Sequence, residues 1–209
     1  MNPIVTAKTS KILLNTGFLV LTFLLPIATA LAQPVGTTPG QLDINNGSAT
    51  YTVPIAVAPG IAGMVPDLSL QVSAMGGNGI AGLGGQIVGL SAISRCPATI
   101  AQDGFKGGIN FDNNDRYCLD GQRLILVGGN LGKSGSEYRT EIESFSKIIA
   151  YGSQGSGPQY FIVKTKAGQT MHYGRHSDAR VTKGSSSEVI SWSISSIKDT
   201  LVNAISIKY

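Results

Sequence analysis

RYCLDGQRLILV, residues 116–127, sets two short β-prone runs against each other across Asp120 and Gly121. A two-residue hairpin turn needs positive φ at both central positions, which glycine adopts without a Cβ clash and aspartate tolerates through its short polar side chain. The stretch therefore predicts an antiparallel hairpin with RYCL and QRLILV as its arms. The same texture recurs outward. Downstream lie SEYRTEI (136–142), FSKIIAY (145–151), QYFIVKTK (159–166) and QTMHYG (169–174), then VISWSIS (189–195) and AISIKY (204–209). Upstream, ATYTVPIAV (49–57) alternates Tyr51, Val53, Ile55 and Val57, and DLSLQVSAM (67–75) alternates Leu68, Leu70 and Val72, the period of half-buried strands. Pro54 lacks a ladder donor and is expected at an edge or bulge. Residues 33–209 show no long apolar stripe of helical period. The sum is roughly ten to twelve short strands, an all-β strip of consecutive antiparallel hairpins.

The long apolar stretch lies at the N-terminus. Lys8 and Lys11 precede an apolar run over residues 17–28, and Ala30, Leu31 and Ala32 follow, the charged, apolar, small-x-small order of a secretory signal peptide. The run is broken by Pro26 and shorter than the about 20 apolar residues of a spanning helix. Cleavage after Ala32 is expected, with an uncleaved anchor as the alternative, so membrane contact is expected through the leader alone. That implies a secreted protein, periplasmic in transit. Losing the leader halves a formal net charge of +4, and no Lys/Arg run remains to gather a polyanion, so nucleic acid is not an expected partner. Residues 33–46 carry Pro, Gly, Thr and Asn without periodicity and read as an extended arm.

Several blocks, in order, carry a resemblance: ATYTVPIAVAPGIAGMVPDLSL, NGIAGLGGQIVGLSAISRCPATIAQDG, DRYCLDGQRL, SEYRTEIESF and the end containing Trp192. Together they resemble the N-terminal domain of the SpvB virulence-protein family, which also opens the B component of insecticidal Tc toxin complexes and related Rhs/YD-repeat proteins. The similarity covers residues 47–209. It implies a non-catalytic β domain, part of a shell that encloses or presents toxin cargo, in proteins some of which reach the host cytoplasm. It also implies partners, namely downstream Rhs/YD-repeat or toxin-complex subunits joined by strand addition. Family members usually continue further, so the domain is expected to be truncated at its C-terminal end, where the alternation of Ile205, Ile207 and Tyr209 reaches the last residue. The apolar face is expected to comprise Tyr51, Val53, Leu124, Leu126, Phe161, Val163, Trp192 and Ile194. Two departures stand out. Gly85 replaces the family's tryptophan, a loss of several kcal/mol if that ring fills a core site. In the turn Asp199–Asn203 the β-branched Val202 occupies a position that wants positive φ, which puts the last hairpin in doubt.

Candidate chemistry is sparse. Cys96 and Cys118 are an even pair in an exported chain and a possible disulfide, closing a loop worth roughly 3 kcal/mol; two buried free thiols are the alternative. GNGIAG (77–82) has the dinucleotide-loop spacing but no helix pattern after it. Glu141 and Glu143, with Ser185, Ser186 and Ser187, are reminiscent of an ADP-ribosyltransferase in the wrong order. On a strand the two acids would share a face near Arg139 or Lys147. His172 and His176 lack a third metal ligand. Asp112, Asn114 and Asp115 hint at calcium, but Arg116 stands at the fifth loop position. No catalytic residue, cofactor or metal is expected. The rival readings are a stand-alone adhesin-like sheet, which would need exposed aromatic rings clustered on one face, and a degenerate ADP-ribosyltransferase.

Overall fold

The computed structural model describes residues 39–45, 47–58, 60–79 and 81–209, and the signal peptide expected over residues 1–32 lies outside them. Pro39–Tyr209 forms one compact unit. Its first part is a four-stranded antiparallel sheet of β1 (Gln41–Asn45), β2 (Ser48–Ile55), β3 (Leu68–Ser73) and β6 (Gly85–Val88), in the order β1-β2-β3-β6. A small hairpin, β4 (Asn78–Gly79) with β5 (Gly82–Leu83), sits between β3 and β6 in the chain. Strand β1 falls inside the stretch read as an arm, so regular structure starts earlier than the sequence pattern suggested. Register sorts the side chains by face: Leu42 opposes Tyr51 and Val72, while Val53 opposes Leu70 and Ile87. The other face carries Thr52, Gln71 and Gln86 in line. Pro54 lies past Thr52, the last β2 residue paired with β1, where its missing N–H leaves no gap in that ladder.

The second part is a barrel. Strand β7 (Ala92–Cys96) leads through the one-turn helix α1 (Ile100–Asp103) to β8 (Arg116–Leu119), then β9 (Gln122–Gly128), β10 (Glu137–Thr140), β11 (Lys147–Tyr151), β12 (Tyr160–Lys164) and β13 (Thr170–Tyr173), each pairing antiparallel with the next. Asp120 and Gly121 turn β8 into β9 with φ of 48° and 81°. Strand β14 (Arg180–Thr182) leads to β15 (Val189–Lys198), followed by β16 (Ala204–Ser206). Strand β15 pairs with β7 through Ser191–Ser193 and with β13 through residues 194–198, which joins the two ends of the meander. The expected strip of hairpins is therefore present, closed into a ring.

The interior of the ring holds the core: Ile93, Tyr117, Leu124, Tyr138, Ile148, Phe161 and Trp192 are all nearly or fully buried. Trp192 meets Phe161 edge-on at 5.1 Å and Tyr117 at 5.7 Å, and its Nε1–H donates to the carbonyls of Pro158 and Gln159. Edge-to-face packing sets the electropositive rim of one ring against the negative face of the next. Gly174 is required here, because a Cβ at that position would lie 2.4 Å from Trp192 Cδ1. The apolar face expected from the sequence divides in two: Tyr51 and Val53 belong to the four-stranded sheet, while Leu124, Phe161, Val163, Trp192 and Ile194 belong to the barrel core. Gly85 is no vacated core site either. It sits on the sheet's edge strand, where a Cβ would meet the Ala81 carbonyl at 2.7 Å, so the local backbone leaves no room for a ring.

The last hairpin forms despite Val202, which adopts φ of 71°. Asp199 holds the turn, Oδ1 accepting from the N–H groups of Leu201 and Asn203 and Oδ2 from Asn203 Nδ2. Left-handed backbone costs a side chain with a Cβ about 1–2 kcal/mol, and glycine's extra unfolded-state freedom costs about 0.5–1 kcal/mol. Val202→Gly is therefore expected to raise stability by about 0.5–1 kcal/mol in chemical unfolding; a fall would show that the turn derives more from the exposed valine than from its backbone.

Candidate functional surface and the closed end of the barrel

Among the described residues no second sheet pairs with or closes over the apolar face of the four-stranded sheet, where Val53, Leu68 and Leu70 are half-buried and the side chains around them are exposed. Leu42 and Ile44 on β1 are 64% and 69% exposed, and Ile55, Val72 and Ile87 are also exposed. Alternation alone places these residues on one side, since successive side chains of a strand point to opposite faces. A run of aliphatic side chains across a whole sheet face exceeds the scattered apolar exposure of an ordinary surface and marks a contact surface. Border strands β1 and β6 each pair with one other strand only among the described residues, and at the start of β6 the Gly85 carbonyl already accepts from the Ala81 N–H.

One end of the barrel, by contrast, is sealed by charge. Arg95 projects inward from β7 in the same phase as Ile93 and is 3% exposed. Its Nη1 donates to Asp115 Oδ2 at 2.8 Å, Nε to the Val189 carbonyl and Nη2 to Ser156 Oγ, with Glu188 at 3.7 Å. Asp115 is 1% exposed and also accepts the N–H groups of Asn110 and Phe111. Phe111, at φ of 63°, lays its ring 5.0 Å from the guanidinium. Every polar atom that Arg95 and Asp115 bring inside thus has a partner, the condition for a buried ion pair to be tolerated. Hydrogen bonds from Ser156 hold the Glu188 carboxyl below its ordinary pKa, with Arg95 and Lys183 adding to the effect. Burial keeps the Tyr117 phenol protonated. This cluster fixes geometry; its groups are saturated by one another.

Cys96 and Cys118 form a disulfide linking β7 to β8. Glu141 and Glu143 lie in the loop after β10 and not on a strand. Glu141 accepts from Gln102 Nε2 and Glu143 from the Phe145 N–H, while Arg139 and Lys147 pair with Glu137 instead. The serine run is an exposed turn between β14 and β15. His172 lies on β13 beside Ser196 Oγ, with burial lowering its pKa, whereas His176 is beyond the strand and exposed. GNGIAG forms the β4–β5 hairpin and runs into β6, so no helix N-terminus faces it. Among the described residues no three His, Cys, Asp or Glu side chains gather as a metal site. Asp112 caps its own turn through the Asn114 N–H, and Asp115, grouped with it in the sequence, turns inward to Arg95. Arg95 was legible in principle, since ISRC places it in phase with Ile93; Glu188 and Ser156 carry no such signal.

Residues 44–126 match the family model described as Salmonella virulence plasmid 65kDa B protein. No curated protein matches the chain. Among solved structures, the TcdB2-TccC3 complex aligns at TM-score 0.64 and 18% identity, covering 82% of this chain. A second crystal structure, TcdB2-TccC3-TEV, aligns at 0.61 and 17%, covering 86%. This chain spans 9% of the length of each. The N-terminal domain of effector protein SpvB from Salmonella typhimurium strain LT2 aligns at 0.55 and 19%, covering 75% of this chain and 54% of that one. At these identities the structural likeness speaks for the fold.

Two outcomes test the sealed end. Asp115→Asn, which strands the Arg95 charge, is expected to cost about 3–5 kcal/mol in urea unfolding, and pairing it with Arg95→Met to cost less than the two singles summed; additive losses would show that the pair is not a unit. Glu188 ionises more easily folded than unfolded, so its contribution is present above its unfolded pKa of 4.5 and is lost as pH falls through the lower folded value. Stability of the wild type should decline below about pH 4.5 more steeply than that of Glu188→Gln; parallel declines would remove Glu188 from the account.

Proposed function

We propose that this chain, which carries the SpvB-type N-terminal domain, serves as a non-catalytic assembly part of a secreted virulence toxin of the SpvB/Tc/Rhs type. It contributes a wall of a β-shell that encloses or presents toxin cargo. The observation that carries this reading is the exposed aliphatic face of the β1-β2-β3-β6 sheet, which packs on no other sheet among the described residues, beside a barrel that closes on its own aromatic core. Sheets bury such faces against another sheet at about 10 Å, and open edges take further strands. The partner is a downstream Rhs/YD-repeat region or a toxin-complex subunit, and the leader in residues 1–32 directs the chain out of the cell. The domain proper begins near residue 47, after an arm over residues 33–46 whose last part adds β1. The exposed face is aliphatic apart from Tyr51, which favours protein packing over the ring-lined surface an adhesin would need.

The test is association. In sedimentation velocity the chain is expected to self-associate with rising concentration or to form a defined complex with a toxin-complex repeat subunit. Leu42→Asp with Ile44→Asp, both on exposed β1 positions, should abolish that association while leaving the unfolding midpoint within a few degrees. A concentration-independent monomer that ignores such a subunit would overturn the proposal.

A further inference from the structure

The barrel end opposite Arg95 is not filled. Leu119, Val163, Met171, Ile194 and Ile197 wall a half-open cavity of about 440 Å³, lined also by Met64 from the β2–β3 loop and by Ile205 and Ile207 at β16. A barrel of about eight strands has an interior just wide enough to be packed with side chains or to hold one small ligand. Here the aromatic rings pack one half, and the aliphatic half keeps a space within the usual range of small-molecule pockets, about 300–1,000 Å³.

Its polar lining is directional. Ser91 Oγ donates to Asp120 Oδ2 at 2.6 Å, so Ser91 has no proton left for the Tyr173 hydroxyl at 2.9 Å, whose own proton has Ser91 Oγ and, at 3.6 Å, Met171 Sδ as acceptors. Asp120 Oδ1 accepts from the Ala92 N–H. Burial pushes the Tyr173 phenol up to about 12, which keeps it neutral, and its oxygen retains lone pairs beside the cavity. Asp67 and Asp120 are the charged residues among those that line the space; no Lys, Arg or His does. The mouth thus offers negative charge and the neutral polar groups of Ser146, Thr165 and Gln169 over an aliphatic floor.

We propose that this barrel mouth binds a small amphipathic amine, its alkyl or aralkyl body among Val163, Met171, Ile194 and Ile197 and its ammonium head against Asp120, Ser91 and Tyr173. Alkyl carboxylates are disfavoured, because an anionic head would meet two carboxylates and no cation. Alkyl alcohols match the floor and lack the charge attraction.

The chain has four methionines, of which Met64 and Met171 line the cavity and Met75 does not, so methyl-labelled methionine reports on the site directly. Titration of the full chain with n-octylamine is expected to shift the Met171 and Met64 methyl signals and leave Met75 in place. Octylamine should bind about fivefold more tightly than octanoate, the scale of a partly exposed ion pair. Asp120→Asn, which asparagine's tolerance of left-handed backbone allows without losing the turn, should retain 1-octanol binding and reduce the preference for the amine, Asp67 being left as the remaining carboxylate. Met171→Trp should fill the cavity and remove binding of all three; should it fail to fold, the Asp120→Asn comparison decides alone. Octanoate binding as tightly as octylamine, an amine preference undiminished by Asp120→Asn, or a Met171 signal unmoved by any of the three would overturn the proposal.

Discussion

The structure depends on a single strand being paired along both edges. Strand β15 takes β7 and β14 along its first half and β13 and β16 along its second, so it is the seam at which a meander becomes a ring. Closure removes most of the open edges that a strip of this length would expose. It also creates an interior in which Trp192, carried by the seam strand itself, meets Tyr117 and Phe161 from β8 and β12. Without β15 in place those rings would face water from opposite ends of a strip.

The two parts of the domain solve the burial problem differently. In the barrel, alternation sends one set of side chains inward and the ring supplies its own cover. The four-stranded sheet has the same alternation and no cover, which is why it reads as half of an interface. The sealed end adds a constraint that hydrophobic packing alone would not impose. Four side chains far apart in the chain, Arg95, Asp115, Ser156 and Glu188, must arrive together, because a guanidinium left alone inside would cost several kcal/mol. An apolar plug of similar volume would tolerate misregister between β7 and β15; this one does not.

Local features were readable in the sequence wherever the cause is local. Asp120-Gly121 specified its turn because positive φ is a property of the dipeptide, and the alternation in residues 49–57 and 67–75 specified faces because it is a property of the strand. Closure was not readable, since the pairing of β15 with β7 spans about a hundred residues and no dipeptide encodes it. For the same reason Tyr51 and Trp192, both apolar members of strands, could not be assigned to different sheets. Val202 misled in an instructive way: its β-branch argues against a left-handed turn, yet three hydrogen bonds to the Asp199 carboxylate, from residues 201 and 203, over-determine the conformation. The loop placement of Glu141 and Glu143 was missed because β10 ends at Thr140, and an E-x-E spacing implies a shared face only on an extended strand. The Asp115 role was hidden by its resemblance to a turn aspartate, with nothing nearby to say that its partner lay twenty positions upstream.

The late position of Glu188 and β15 has a consequence for the order of events during synthesis. A polypeptide emerging N-terminus first can make the β7–β13 hairpins early, but the guanidinium of Arg95 has no complete set of neighbours, and the ring no fastener, until Glu188, Val189 and β15 have followed. The lock is supplied by β15, which follows every other strand of the ring in the chain.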